Sequence, residues 1–166
     1  VHNAGESFYR AHKDVIELFV LDTDHARQDP ASMNRQRDWL RAAVASSDAP
    51  WRFVIAHHPP YASTKPGGGF SELRWLETID AEVIFSGDAH VYERLDLGGD
   101  LLALICGIGG QSRANFSNAI AQSRYHFDDE FGALRIDARP AGVDISLRTI
   151  DEGGANICYS VTHIET

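Results

Sequence analysis

The sequence has few cysteines. Cys106 and Cys158 are the only two in 166 residues, and they have no Cys-x-x-C spacing, so a disulfide framework is excluded. Both lie in strand-like apolar runs, and we expect them to be inert core residues. Long hydrophobic runs are missing as well, since none approaches the ~18 residues that span a bilayer. The sequence therefore predicts no membrane partner.

Basic residues are also in deficit, with 15 Lys and Arg against 24 Asp and Glu and a formal net charge of −9. Phosphate backbones are bound by surplus Lys and Arg, so this balance argues against a nucleic-acid partner. It does not exclude a small phosphate ester, because a metal ion would neutralise the charge of the ester locally. A hydrophobic content of 43% is ordinary for a globular chain, and one domain is expected over residues 1–166.

Strand and helix patterns alternate in the first half of the chain. Apolar runs rich in β-branched and aromatic residues predict buried strands at Ile16–Leu21, Trp51–Ala56 and Val83–Ser86. An amphipathic pattern predicts a helix over Arg35–Ser46, and Ser71 is a plausible N-cap for a second helix. This alternation indicates right-handed crossovers and a mainly parallel sheet.

The second half of the chain has a different pattern. Apolar runs with Gly-bearing turns predict strands at 101–106, 133–138, 143–150 and 157–164, and we expect them to form an antiparallel meander. The polar stretches 27–34 and 111–129 predict loops, the second being a surface excursion that is partly helical at most. The predicted fold class is therefore α/β, with parallel strands followed by an antiparallel set.

Side chains that can bind metals follow two of the predicted parallel strands. His57 and His58 come directly after the second strand, and Asp88 and His90 follow the third. Because ligands sit outside the carboxyl ends of strands in open α/β sheets, we expect His57 and His90 to lie side by side at one edge. Imidazole and carboxylate ligands suit Zn, Fe and Mn.

Two segments resemble the last two motifs of the calcineurin-like metallophosphoesterases, nearest the purple acid phosphatase branch. Val54-Ile-Ala-His57 is similar to the Val-x-x-His motif of the family, and Gly87-Asp-Ala-His90 is similar to its Gly-His-x-His motif. Segments 18–23, 36–40 and 107–110 resemble neighbouring parts of the same domain. The resemblance implies a mixed β-sheet sandwich flanked by helices, a four-layer αββα arrangement of which this chain holds the C-terminal half.

The resemblance also implies hydrolysis of phosphate esters at a dinuclear site with two divalent or trivalent metal ions, Fe, Zn or Mn. His57 would bind the second metal, His90 the first, and Asp88 would take the place of a ligating histidine. His58 is expected either to reach the substrate phosphate or support a ligand, or to be a turn residue packed under Pro59. A secreted or periplasmic location is favoured by the same resemblance.

Asp88 leaves two interpretations open. A carboxylate can replace an imidazole and would retune the site towards a harder ion such as Mn or Mg. Its negative charge would also lower the Lewis acidity of the metal and repel a phosphate dianion, as in a site that is losing activity. The loop after His57 contains Lys65 but no histidine that could protonate a leaving group, and Lys65 is expected to be solvated.

The earlier motifs of the family, which supply the bridging carboxylate and further ligands, do not occur in residues 1–166. A missing N-terminal segment or another chain is therefore expected to complete the site and to cover the sheet face that the absent half would occupy. We expect the fragment alone to be inactive or nearly so.

Two other functions remain open. One is a binding or scaffold module derived from phosphoesterases that has lost catalysis. The other is an unrelated hydrolase that uses Asp22, Asp24 and His25, although we expect these three to serve in turns and caps. Glu93 and Arg94 are expected to form a structural pair, and the glycines of residues 107–110 to permit tight turning.

Overall fold

Strands dominate the computed structural model, which describes residues 7–64, 69–112, 114–116, 118–150, 154 and 156–165. Within these residues the elements are β1 (Tyr9–Lys13), β2 (Ile16–Val20), α1 (Thr23–Gln28), α2 (Pro30–Ala45), β3 (Trp51–Ala56), a 3-10 helix (Ser71–Thr78), β4 (Val83–Ser86), β5 (Tyr92–Asp96), β6 (Leu102–Cys106), β7 (Ser123–Phe127), β8 (Gly132–Arg139), β9 (Gly142–Ile150) and β10 (Asn156–Glu165). None of the helices in these ranges is long and apolar enough to cross a membrane.

A seven-stranded sheet has the order β1-β2-β3-β4-β6-β5-β7. Strands β2, β3, β4 and β6 are parallel, and β1, β5 and β7 run antiparallel to their neighbours. The paired residues Val54 and Ile84 are fully buried, as expected for strands covered on both faces. Because β3 and β4 are parallel neighbours, their carboxyl ends lie side by side.

Helices cover one face of this sheet and a second sheet covers the other. Leu40 of α2 and Leu73 of the 3-10 helix pack with Ile84 in one core cluster. On the opposite face Phe53 packs against Val143 of the second sheet, whose strands have the order β10-β9-β8. This sandwich of two sheets with flanking helices confirms the predicted α/β fold class.

One hydrogen bond joins the two sheets through an indole ring. Trp51 is fully buried, and its Nε1 donates to the carbonyl oxygen of Arg139 on β8 at 2.6 Å. On the facing strand β9, Val143, Ile145 and Leu147 are fully buried, as the alternating sequence pattern predicts. The contact between the sheets is therefore mainly apolar, with polar ties at Trp51 and, between β5 and β10, from Arg94 to Thr162.

The structure corrects two helix predictions. The stretch 27–34 is not a loop, because α2 begins at Pro30 and Asp29 caps it by accepting a hydrogen bond from the Ala31 N–H at 2.9 Å. The helix expected to start at Ser71 is a 3-10 helix, and its cap residue is Phe70, with no side-chain cap hydrogen bond. The N-cap role of Ser71 is therefore wrong.

The prediction of one antiparallel meander is also wrong in part. Strands β8, β9 and β10 do pair antiparallel, but β6 is parallel to β4 in the first sheet. The stretch 111–129 contains β7, which pairs with β5, so it is not only a surface excursion. Cys158 is exposed, so the prediction of a core residue is wrong for it, whereas Cys106 is half-buried.

Candidate metal centre

The candidate metal centre lies where β3 and β4 end. The N–H of Gly87 donates to the carbonyl oxygen of His57 at 2.9 Å and joins the two strand ends. The Nε2 atom of His57 lies 4.0 Å from Oδ1 of Asp88. Two atoms at this separation can converge on one cation with a small side-chain rotation, because bonds from Zn to His and carboxylate ligands are each about 2.0–2.2 Å long.

His58 joins His57 and Asp88 in a group whose potential ligand atoms all lie within 4.8 Å of one another. Among the residues that the structure describes, this is the one group of three or more His, Cys, Asp or Glu side chains with that geometry. The donor set is imidazole and carboxylate, which fits Fe, Zn or Mn. The structure therefore brings together three of the four predicted site residues.

His90, the fourth predicted residue, is outside this group. Its Nδ1 lies 2.7 Å from the carbonyl oxygen of Ser112, which can only accept a hydrogen bond. A ring N–H donated to a carbonyl fixes the tautomer and leaves the Nε2 lone pair for a ligand. The expected convergence of His57 with His90 stays a prediction.

The backbone that carries Asp88 and His90 has a special conformation and a special support. Asp88 has a φ of 54°, in the left-handed region that Asp tolerates better than most residues. Gly107 packs beneath this segment, where an added Cβ would lie 2.2 Å from the carbonyl oxygen of Ala89 and 3.1 Å from Cα of His90. Gly107 therefore permits a close approach of two backbones, a role that the turn prediction for residues 107–110 does not include.

His58 is 4% exposed, and both of its ring nitrogens have partners. Its Nδ1 is 2.8 Å from Oγ1 of Thr23, and its Nε2 is 2.9 Å from Nη1 of Arg27. Because a guanidinium only donates, Nε2 accepts and the ring proton resides on Nδ1. Burial, followed by the charge of Arg27, lowers the pKa of His58. The ring is therefore a neutral acceptor for Arg27 and offers no spare lone pair to a metal.

Asp22, Asp24 and His25 do not converge. Asp22 caps α1 and accepts a hydrogen bond from the His25 N–H at 3.0 Å, which confirms its capping role. Hydrogen bonds from Ser7 and from that N–H lower the pKa of Asp22. Asp24 lies 3.7 Å from His58 Nε2, whereas the ring of His25 lies 3.9 Å from Asp29. Because their partners differ, this trio is a poor acid–base set.

Glu93 is fully buried and supports the loop that follows His58. Its two oxygens accept hydrogen bonds from the N–H of Ser63 at 2.9 Å and from Oγ of Ser63 at 2.5 Å. The same Oγ accepts from the Ile120 N–H at 3.1 Å. Arg94 instead donates to Oγ1 of Thr162 at 3.1 Å, so the expected Glu–Arg pairing is replaced by two separate structural contacts. Lys65 lies outside the described residues.

An apolar groove of about 590 Å³ opens between the two sheets beside the site. Its walls include Val20, Ile55 and Phe85 from the first sheet and Leu134 from β8, and His57 lies at its rim. Strand β8 is the edge of the second sheet on this side. The groove therefore adjoins both the strand ends and an edge strand.

One comparison with known proteins identifies a family, and another identifies solved structures with a similar fold. The model of the family described as calcineurin-like phosphoesterase matches residues 2–92. The solved structure of the purple acid phosphatase PPD1 from yellow lupin (Lupinus luteus) seeds has a TM-score of 0.75 and 19% identity, covering 99% of this chain and 34% of that chain. GAP50, described as the anchor in the inner membrane complex of Plasmodium, has a TM-score of 0.71 and 16% identity. The match covers 95% of this chain and 53% of the GAP50 chain.

A structure of PhoD has a TM-score of 0.64 and 12% identity, covering 96% of this chain and 42% of that chain. No curated protein sequence matches the chain significantly. At such identities the likeness to the three solved structures shows the fold alone. The chain spans between 34% and 53% of their lengths.

Proposed function

The chain belongs to the calcineurin-like phosphoesterase family, and from this premise we propose that it forms part of a metal-dependent enzyme that hydrolyses small phosphate esters. The observation that carries the proposal is the placement of His57 and Asp88, 4.0 Å apart, at the adjoining ends of two parallel strands. Ligand sites of open α/β sheets lie at such ends.

We assign metal binding to His57, Asp88 and His90. The first two would hold one cation through Nε2 and a carboxylate oxygen, and His90 would bind through Nε2 while the carbonyl of Ser112 orients its ring. The carboxylate of Asp88 favours a harder ion such as Mn over a softer one. The chemistry supplied by a bound pair of cations is neutralisation of the phosphate and activation of water for attack on phosphorus.

His58 acts on the substrate side of the site in this proposal. Its neutral ring is fixed between Thr23 and Arg27, so it shapes the space beside His57 and Asp88 without competing for the metal. A neutral imidazole in this position also adds no charge that would repel a cation.

We further propose that the remaining ligands come from a polypeptide segment outside residues 1–166, or from another chain, that occupies the groove between the sheets. Ile136 of β8 supports this, because it lies opposite the fully buried Ile145 and yet is 38% exposed. A strand added to the β8 edge would cover Ile136 and bring further side chains to the rim at His57. On this proposal, residues 1–166 are the C-terminal portion of the domain and have little activity alone.

A binding or scaffold module that has lost catalysis is the second candidate. Asp88 favours it, because a carboxylate in place of the histidine of the family motif adds negative charge where a phosphate must bind. The hydrogen bonds at both ring nitrogens of His58 also favour a scaffold, because they remove one potential metal ligand from the group. A scaffold of this kind would bind no metal at stoichiometric level.

Metal titration and a chromogenic phosphomonoester assay test the proposal. We expect purified residues 1–166 to bind Mn²⁺ stoichiometrically in calorimetry, and Asp88→Asn to weaken that binding at least about tenfold. Asn is a suitable change because it also tolerates a positive φ. Failure to bind Mn²⁺, Zn²⁺ or Fe would favour the scaffold. Robust turnover that His57→Ala abolishes would contradict the proposal that residues 1–166 have little activity alone.

A further inference from the structure

Arg27 is a charged side chain beside the candidate metal centre, held by three different contacts. Its guanidinium carbon lies 4.1 Å from the centroid of the Phe70 ring, and its Nε donates to Glu72 at 3.2 Å. Its Nη1 donates to Nε2 of His58 at 2.9 Å. These contacts hold the planar guanidinium on its face, at Nε and at Nη1. Little conformational entropy therefore remains to be lost when the group binds a ligand.

The guanidinium keeps donors for a ligand. It carries five N–H bonds, and the hydrogen bonds to Glu72 and His58 use one on Nε and one on Nη1. Within the described residues, the donors on Nη2 and the second donor on Nη1 meet no hydrogen-bond acceptor. The side chain is 33% exposed, so a ligand can reach it.

Arg27 lies next to the candidate metal centre. His58 belongs to the group of three side chains, with His57 and Asp88, whose potential ligand atoms lie within 4.8 Å of one another. Arg27 donates a hydrogen bond to Nε2 of His58, the ring nitrogen that also faces Asp24 at 3.7 Å. The guanidinium therefore lies next to the ring that adjoins His57 and Asp88.

The charges around His58 give Arg27 a specific task. Asp24 and Asp88 both act on His58 as negative charges, and a phosphate dianion entering between them would be repelled. Arg27 is the permanent cation among the charges that act on that ring. Its charge offsets the additional carboxylate that Asp88 brings to the site.

We propose that Arg27 binds the phosphate group of the substrate and that His58 and Phe70 position it. The inference rests on the proposed function, because it names the residue that recognises the phosphate at the same site. Arg suits this role, since its planar donors match phosphate oxygens in pairs. His58 is a positioning residue, because it acts through its hydrogen bond to Nη1.

Inorganic phosphate is the probe, titrated calorimetrically into residues 1–166 in the presence of saturating Mn²⁺. Arg27→Met keeps an apolar stem against Phe70 and removes the charge, so we expect phosphate affinity to fall at least about tenfold. Mn²⁺ affinity should stay within about twofold. Arg35→Met is the matched control, because Arg35 is also partly exposed and faces a carboxylate, Asp29, at 3.8 Å, and it should leave phosphate binding unchanged.

His58→Phe tests the positioning role with an aromatic ring that lacks the acceptor. We expect a smaller loss of phosphate affinity than in Arg27→Met, and no further loss when the two changes are combined, because they act through one contact. The imidazole ¹⁵N signals of His58 give a second readout that does not need this variant. They should report an Nδ1–H tautomer, and the Nε2 signal should shift in Arg27→Met.

The outcomes separate the inference from the function on which it rests. Unchanged phosphate affinity in Arg27→Met, with Mn²⁺ binding intact, would overturn the role of Arg27 and leave the metal site standing. Additive losses in the double variant would overturn the positioning role of His58. If the unaltered chain binds neither Mn²⁺ nor phosphate, the proposed function fails and the inference fails with it.

Discussion

The candidate metal centre and a cluster of Asp144, His163 and Glu165 on β9 and β10 both combine histidine with carboxylates. The two differ in the distances between their polar atoms. His163 places Nδ1 2.6 Å from Asp144 and Nε2 3.1 Å from Glu165. His57 and Asp88 lie 4.0 Å apart, which is longer than a hydrogen bond. The cluster on β9 and β10 is joined by its own hydrogen bonds, whereas the separation of His57 and Asp88 would accommodate the cation that we propose.

Strand geometry explains the difference. Asp144 and His163 are direct partners in an antiparallel ladder, so their side chains meet on one face of the sheet. His57 and Asp88 follow parallel strands at a point where pairing has ended, and their separation depends on the loop backbone that Gly107 supports. The same residue types therefore form an ion pair in one place and a candidate ligand site in the other.

Gly107→Ala is expected to have the largest effect, because it removes the support of only one of these clusters. The new Cβ would clash with the carbonyl oxygen of Ala89, so the segment that carries Asp88 and His90 must move. We expect a loss of about 1–3 kcal/mol in the free energy of unfolding, measured with urea, and loss of Mn²⁺ binding in calorimetry.

Gly109→Ala is the matched control for this variant. A Cβ at Gly109 would meet nothing within 4 Å, and its backbone is not in the left-handed region. Its free energy of unfolding should change by no more than about 0.5 kcal/mol. Equal stability and equal Mn²⁺ binding in both variants would contradict the supporting role of Gly107.

Separate alanine substitutions of His57 and His163 would test whether the two groups differ in metal binding. His57→Ala should weaken Mn²⁺ binding by about a hundredfold or more, because on our proposal it removes a direct ligand rather than a supporting group. His163→Ala should leave Mn²⁺ affinity unchanged, as its ring is already engaged by two carboxylates. Similar losses of Mn²⁺ affinity in both variants, measured by calorimetry, would argue for nonspecific binding to the acidic chain.

Glu93→Gln tests whether the loop after His58 depends on a buried carboxylate. The amide would turn its NH₂ towards a donor of Ser63, leaving a buried donor without an acceptor. We expect a loss of about 1–3 kcal/mol in the free energy of unfolding. Glu130→Gln is the control, because Glu130 accepts one hydrogen bond from Thr149 in a less buried place and should cost less. Urea denaturation of the two variants would settle the order.

The smallest expected effect is a change in the pH dependence of the free energy of unfolding, caused by the cluster on β9 and β10. Hydrogen bonds to Asp144 and then Glu165 raise the pKa of His163 above its usual 6.5, while Arg139 and His163 lower the pKa of Asp144. The stabilisation from protonated His163 is fully present below pH 6.5 and is lost as pH rises through the raised pKa. Asp144→Asn should therefore flatten the decline in unfolding free energy above pH 6.5. An unchanged slope would show that other groups cause the decline.

The parts of the fold that sequence predicts are those with unbroken apolar runs. Strands β3 and β4 coincide with the predicted ranges 51–56 and 83–86, and the ends of these runs locate His57, His58 and Asp88. Strands β1, β5 and β7 escape prediction because charged residues such as Arg94 and Arg124 interrupt their apolar alternation. Edge and near-edge strands tolerate such residues.

The supporting parts of the site depend on contacts between distant residues. Arg27 reaches His58 only because α1 follows β2 and lies beside the end of β3, and the polar sequence of α1 gives no amphipathic signal. Gly107 acts through its approach to Ala89, and no local pattern encodes a distance between two loops. Sequence therefore identifies candidate ligands more readily than the residues that hold them.

Trp51 gives the sandwich an optical reporter. Its indole is sealed between the sheets, and its Nε1 is tied to β8, so its fluorescence would shift to longer wavelength once the β8–β10 layer detached. Trp39 and Trp75 pack in the core cluster on the helical side. With these two replaced by Phe, the single remaining emission would distinguish peeling of one layer from melting of the whole molecule.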